Sequence, residues 1–96
     1  MNKEKLLGPH REEILALAKK RGAFNIRVFG SFARGQAGEE SDVDFLVEMR
    51  PGRSLLDLSG LCIDLEKLLH RKVDVVTEGG LSPYLKDRII EEATPL

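Results

Sequence analysis

The chain has few of the residues that mark a disulfide-stapled protein or a nucleic-acid binder. A single cysteine, Cys62, excludes an internal disulfide and suits a reducing compartment. Tryptophan is absent, and aromatic residues make up only 5% of the chain. The net charge of −1 and the pI near 6.1 indicate that the chain lacks the strong positive field that binds the phosphate backbone of a nucleic acid. Direct binding of nucleic acid is therefore not expected.

Long hydrophobic runs are also missing. No apolar stretch approaches the ~20 residues that a bilayer-spanning helix needs, so no membrane association is expected. Near the N-terminus, Leu6-Leu7 is interrupted by Gly8-Pro9, which argues against a secretory leader. Hydrophobic residues at 42% and charged residues at 32% are ordinary values for a globular protein. We expect one cytoplasmic domain that comprises residues 1–96.

Hydrophobic periodicity predicts three short strands and three main helices. The strands are expected at Ile26 to Phe29, Val43 to Glu48 and Val73 to Thr77. The first and last helices are expected at residues 9–21 and 84–93, and Tyr84 of the last one should pack against the sheet. Between them, a long helix should begin at Ser54, which forms a capping box with Asp57. A further short helix is predicted to open at Ser31.

The order strand, long helix, strand is that of a βαβ unit. The second and third strands should therefore be parallel, with a right-handed crossover. An antiparallel first strand would complete a mixed sheet of about three strands with helices packed on it. The predicted fold class is thus α/β, with a mixed sheet.

Two short motifs lie ten residues apart. The first, Gly30-Ser31, follows the first predicted strand, and the second, Asp42-Val43-Asp44, opens the next strand. A Gly-Ser turn lets backbone amides approach a phosphate closely and adds a hydroxyl donor. Two Asp side chains at positions i and i+2 of a strand lie on one face and can reach one hard cation. Each motif alone is weak evidence for a nucleotide site, because Gly-Ser often forms only a turn and acidic residues beside a strand often only aid solubility.

A third carboxylate strengthens the pattern. Asp74 is the second residue of the third predicted strand, and parallel strands begin at the same edge of a sheet. Asp42, Asp44 and Asp74 should therefore cluster beside the Gly30 turn. Mg²⁺ binds carboxylates together with substrate phosphates, so the cluster indicates a nucleoside triphosphate with two Mg²⁺ ions and attack at the α-phosphorus. Arg34 is a candidate for a phosphate contact through its guanidinium. The sequence is about equally compatible with a surface role for Arg34 without any ligand contact.

These residues resemble the DNA polymerase beta-like nucleotidyltransferase superfamily. The stretches VFGSFARGQAGEESDVDFLVE and KVDVVTEGGLSPYLKDRIIEEATPL are similar to those of minimal nucleotidyltransferases, the antitoxins of two-gene toxin–antitoxin pairs. The resemblance assigns the catalytic and metal-binding roles to Asp42, Asp44 and Asp74, and the nucleotide contacts to Gly30 and Ser31. It implies an enzyme that transfers AMP from ATP to a hydroxyl, expected to be a tyrosine, of a helical HEPN-type toxin.

Two other functions remain open at this point. The chain could neutralise a toxin by binding and covering it, without catalysis. It could also be a small-molecule nucleotidyltransferase of the aminoglycoside type, which would need an acceptor-binding domain on another chain. We expect no such domain within 96 residues, so the acceptor should come from a partner.

Overall fold

Four strands among the described residues form one mixed sheet, in which they are ordered third, second, first and fourth. In the computed structural model, which describes residues 3–96, the strands are β1 (Ala23–Phe29), β2 (Val43–Met49), β3 (Val73–Thr77) and β4 (Thr94–Pro95). β1 is antiparallel to β2 and β4, whereas β2 and β3 are parallel. The predicted fold class and strand directions are confirmed, and β4 is an additional strand. The first two residues of the predicted domain lie outside the described part.

Four α-helices accompany the sheet in the described part of the chain. They are α1 (Lys3–Leu7), α2 (Arg11–Lys20), α3 (Leu55–Leu69) and α4 (Pro83–Glu92), with 3-10 turns at Gly8–His10 and Glu78–Gly80. The single helix predicted over residues 9–21 was wrong at its start. Pro9 lies in the 3-10 turn, because a residue without an N–H is tolerated in a first turn.

α3 begins with the predicted capping box. The Ser54 hydroxyl accepts a hydrogen bond of 3.2 Å from the Leu56 amide, and the Asp57 carboxylate accepts one of 3.2 Å from the Ser54 amide. These bonds satisfy amides that have no partner inside the helix. The helix ends at His70, whose φ of 53° is left-handed.

The core lies between one face of the sheet and the helices α2 and α3. Val43, Phe45 and Val47 of β2 are at most 1% exposed and belong to this core, together with Ile14 and Leu65 from the helices. Successive side chains of a strand point to opposite faces. The even-numbered residues of β2, which include Asp44, therefore lie on the face away from α2 and α3.

α4 is loosely covered at its beginning. Tyr84 is 95% exposed and Leu85 is 50% exposed, whereas Ile89 and Ile90 are half-buried. The expectation that Tyr84 packs against the sheet was wrong, because the first turn of α4 lies in solvent and only its second half meets the protein. Within residues 3–96, no helix has the length and apolar character to cross a membrane.

Candidate active site

β1 ends in a turn that only glycine fits. Gly30 has φ of 75°, a left-handed conformation that costs other residues free energy. A Cβ atom at this position would also clash with Oδ2 of Asp44. The absent side chain therefore allows the turn and the carboxylate to lie in contact.

Residues 30–35 form turns, where a short helix was predicted to open at Ser31. The Arg34 amide donates to the Gly30 carbonyl at 3.1 Å, and the Gln36 amide donates to the Ser31 carbonyl at 2.8 Å. Phe32, which is 1% exposed, anchors the turn in the core. The amides of Ser31, Phe32 and Ala33 and the Ser31 hydroxyl make no hydrogen bond with other described residues. Such a run of free donors can hold the oxygens of a phosphate.

Arg71 fixes the loop that leads from this turn to the carboxylates. Its Nη1 donates to the carbonyls of Gly38 at 3.0 Å and Ser41 at 2.9 Å. The guanidinium also lies over the Phe32 ring, 5.3 Å from its centroid. Nothing in the local sequence of Arg71 indicates this long-range role. The contact with Ser41 holds the main chain directly before Asp42.

The sheet register brings the carboxylates to one edge. Asp44 pairs with Phe29 at the end of β1 and with Asp74 on β3, while Asp42 immediately precedes β2. The carboxylate of Asp44 is half-buried, and Asp42 and Asp74 are exposed. The three acids therefore lie beside the Gly30 turn at adjacent register positions.

Asp44 carries the electrostatic cost of this arrangement. Burial, followed by the negative charges of Asp74 and Asp42, raises the pKa of Asp44 to about 6, and Glu92 adds a smaller effect of the same sign. The positive charge of Arg34 acts in the opposite direction. A divalent cation would relieve the repulsion among these carboxylates.

The donor set fits a hard cation such as Mg²⁺, which takes carboxylate oxygens and completes its coordination with water and substrate phosphates. Across residues 3–96, no three His, Cys, Asp or Glu side chains already form a group that could hold a metal ion. The carboxylates are thus neighbours along the sheet edge whose oxygens do not form a closed cage.

Arg34 and Glu92 link the turn to the C-terminal segment. Nη1 of Arg34 lies 2.5 Å from Oε1 of Glu92, and the Gly30 amide donates to Oε2 of Glu92 at 2.8 Å. Arg34 therefore lies close to the Gly30 turn, its side chain is 44% exposed, and its contact with phosphate stays a prediction. Glu92 was not predicted to take part, because the contact depends on β4, which the sequence pattern did not reveal.

Cys62 lies outside this group of residues. Its thiol donates to the Val73 carbonyl at 2.9 Å. Burial, with Glu66 and Asp74 nearby, raises the pKa of the thiol above its ordinary value. A raised pKa disfavours the thiolate, so Cys62 is a structural residue.

Comparison with known proteins identifies the family. The model of the nucleotidyltransferase domain matches residues 10–96. The chain belongs to this family. The match contains the Gly30 turn, the three carboxylates and the C-terminal segment with Glu92.

Two relatives within the family carry the name protein adenylyltransferase. A protein of Methanocaldococcus jannaschii is 45% identical over 83 residues, which cover 86% of this chain and 89% of that protein. The protein adenylyltransferase MntA of Thermococcus cleftensis is 38% identical over 89 residues, which cover 93% of this chain and 87% of the relative. The family match identifies the chain as a nucleotidyltransferase, and these relatives of it are named protein adenylyltransferases.

Solved structures agree with the fold. A minimal nucleotidyltransferase superimposes with a TM-score of 0.86 and 48% identity, over 100% of this chain and 97% of that chain. A toxin–antitoxin complex with AMP-PNP matches with a TM-score of 0.74 and 22% identity, over 88% of this chain and 69% of that chain. At that identity, the second likeness supports the fold alone.

Proposed function

We propose that this chain is the antitoxin of a toxin–antitoxin pair and transfers AMP from ATP to a hydroxyl group of its toxin. The acceptor is a tyrosine on an all-helical toxin of the HEPN type, and the reaction takes place in the cytoplasm. Relatives that are named protein adenylyltransferases support the transfer of AMP to a protein, and the likeness to a toxin–antitoxin complex supports the shared fold. Residues 1–96 act in it as a single domain.

The observation that carries the proposal is the contact between the phosphate-binding turn and the carboxylates. Glycine at position 30 lets the turn lie against Asp44, which pairs in register with Asp74. Free amide donors and grouped carboxylates at one sheet edge suit a nucleoside triphosphate with its cation. A turn or an acidic strand end alone would not require this proximity.

Each residue has a defined role in the reaction. The amides after Gly30, the Ser31 hydroxyl and Arg34 bind the triphosphate oxygens. Asp42, Asp44 and Asp74 would hold Mg²⁺, with two ions expected. The bound cation would supply charge neutralisation at the phosphates and lower the pKa of the attacking hydroxyl.

Transfer itself is a substitution at the α-phosphorus. The acceptor oxygen forms a bond to that phosphorus, and the bond from the α-phosphorus to the oxygen that bridges to the β-phosphate breaks. Pyrophosphate leaves with the electron pair of this bond. The hydroxyl proton passes to a carboxylate, for which we propose Asp74 because it is the exposed acid on the neighbouring strand.

The test uses the chain together with the product of the adjacent gene. The two proteins are incubated with Mg²⁺ and ATP, and the intact mass of the partner is measured before and after. We expect an increase of one or more adenylyl groups, which Asp42→Asn and Asp44→Asn abolish. Asp87→Asn, on the exposed surface of α4, is the matched control and should transfer normally.

Two results would contradict the proposal. An unchanged partner mass, with binding that survives Asp42→Asn and Asp44→Asn, would identify an antitoxin that acts by covering its toxin. Normal transfer by Asp74→Asn would overturn the role given to the third carboxylate, for which we expect retained nucleotide binding and lost transfer.

A further inference from the structure

The carboxylate of Glu92 holds two parts of the candidate phosphate site at once. Oε2 accepts the hydrogen bond from the Gly30 amide at 2.8 Å, and Oε1 pairs with Nη1 of Arg34 at 2.5 Å. The side chain of Glu92 is only 20% exposed. One side chain at the end of α4 therefore joins the C-terminal segment to the turn that follows β1.

The sheet register explains why Glu92 reaches this position. β1 and β4 are antiparallel, with Arg27 opposite Pro95 and Val28 opposite Thr94. Each pair of numbers adds to 122, so the same register continued by two residues places Glu92 opposite Gly30. Glu92 is still the last residue of α4, and its side chain, instead of its main chain, accepts the Gly30 N–H.

The guanidinium of Arg34 is held from two sides. Nε donates to Oε1 of Gln36 at 3.1 Å, and Nη1 donates to Glu92. Nη2 has no partner among residues 3–96. Because the guanidinium is a rigid planar fork, two fixed nitrogens also fix the direction of the third.

The charge balance agrees with this picture. Burial alone would raise the pKa of Glu92, but the hydrogen bonds from Arg34 and the Gly30 amide and the charges of Arg34 and Arg88 lower it below its ordinary value. Glu92 is therefore ionised at neutral pH, and its interaction with Arg34 is a charged pair. Both groups also act electrostatically on Asp44, which places them beside the carboxylate cluster.

We propose that Glu92 is a positioning residue that fixes the Gly30 turn and aims the guanidinium of Arg34 at the triphosphate tail of the bound nucleotide. This inference rests on the proposed function, since it assumes that ATP occupies the turn. Glu92 touches neither the nucleotide nor the reacting atoms and acts through the Gly30 turn and through Arg34.

A different arrangement would make the opposite prediction. A carboxylate bound to an amide and an arginine could imitate a phosphate and compete with ATP for them. Neutralising Glu92 would then strengthen ATP binding. If Glu92 instead positions Arg34, neutralising it weakens ATP binding, so the sign of the change distinguishes the two.

The experiment measures equilibrium binding of MgATP and of AMP by calorimetry, with no acceptor present. Glu92→Gln keeps an oxygen for the Gly30 amide but removes the charge. We expect MgATP binding to weaken about fivefold to tenfold, because a charged hydrogen bond to Arg34 is lost. AMP has no triphosphate tail, so its affinity for the variant should equal that for the wild type. A general loss of structure would instead weaken the binding of both ligands.

Two further variants complete the design. Glu91→Gln, the exposed neighbour on α4, is the matched control and should bind both ligands as the wild type does. Arg34→Ala should weaken MgATP binding by a similar factor to Glu92→Gln. Because Glu92→Gln keeps an acceptor for the Gly30 amide, the charge that it removes acts only through Arg34. The double variant should therefore bind no more weakly than Arg34→Ala alone.

Unchanged or tighter MgATP binding by Glu92→Gln would overturn the positioning role. Losses that multiply in the double variant would also overturn it, since they would show that the two residues act independently. If the wild type binds MgATP but modifies no partner, the proposed transfer fails while the binding test of Glu92 still stands. If the wild type binds no MgATP, both proposals fail.

Discussion

At the scale of single residues, the site depends on a close contact between a glycine and an acid. Gly30 adopts a left-handed conformation and lies against Asp44, whose carboxylate is crowded by Asp42 and Asp74. Glycine adopts this conformation without strain, whereas the crowding of Asp44 costs free energy in the folded chain. Such costs are commonly found at functional sites, where a ligand offsets them.

Substitution of Gly30 by alanine separates the contact from the backbone strain. Gly35 has a similar φ of 72° in the same turn, but a Cβ there would meet nothing within 4 Å. We expect Gly35→Ala to cost about 1 kcal/mol and Gly30→Ala about 2–3 kcal/mol, because only the latter also clashes with Asp44. Urea unfolding measures both values. Equal losses would show that the contact with Asp44 does not constrain the turn.

The raised pKa of Asp44 predicts a specific pH dependence. The folded chain holds the proton of Asp44 more tightly than the unfolded chain, in which the pKa of this carboxyl has its ordinary value of 3.8. Binding of this proton therefore stabilises the folded state, and the stabilisation is lost as pH rises from about 4 to about 6. Asp44→Asn lacks this titration. Without added metal, its melting temperature should exceed that of the wild type above pH 6, by a difference that develops between pH 4 and 6. A difference that is independent of pH, or an Asn variant that is less stable at pH 7.5, would contradict this account.

At the scale of elements, prediction succeeded where the signal was local. β3 was predicted at its observed bounds, and the capping box of α3 was predicted from Ser54 and Asp57 alone. β4 was missed because two residues have no periodicity, and they pair with β1 only through the tertiary fold. Glu92 and Arg71 were missed for the same reason, since their partners are 30 or more residues away in the chain.

Loss of the capping box should destabilise α3. Ser54→Ala removes the oxygen that accepts from the Leu56 amide, at an expected cost of about 1 kcal/mol. Ser59→Ala, at an exposed position inside the same helix, is the control and should be neutral or slightly stabilising. Chemical denaturation of both variants tests this, and indistinguishable midpoints would exclude a role for the cap in stability.

At the scale of the whole molecule, four distant segments meet at one sheet edge. The turn after β1, the start of β2, the start of β3 and the end of α4 come together because β2 and β3 are parallel while β1 and β4 are antiparallel to their neighbours. The hydrogen-bond donors proposed to bind phosphate thus lie beside the carboxylates without any insertion in the fold. The sheet itself is the scaffold of the site.

The central claim is that the chain transfers the adenylyl group of ATP, and the fate of the label in ATP tests it most directly. The chain and its partner are incubated with Mg²⁺ and ATP labelled at the α-phosphorus or, in parallel, at the γ-phosphorus. Transfer of the adenylyl group should attach the α label to the partner and release the γ label as pyrophosphate. Attachment of the γ label, or of neither label while the two proteins form a stable complex, would contradict it.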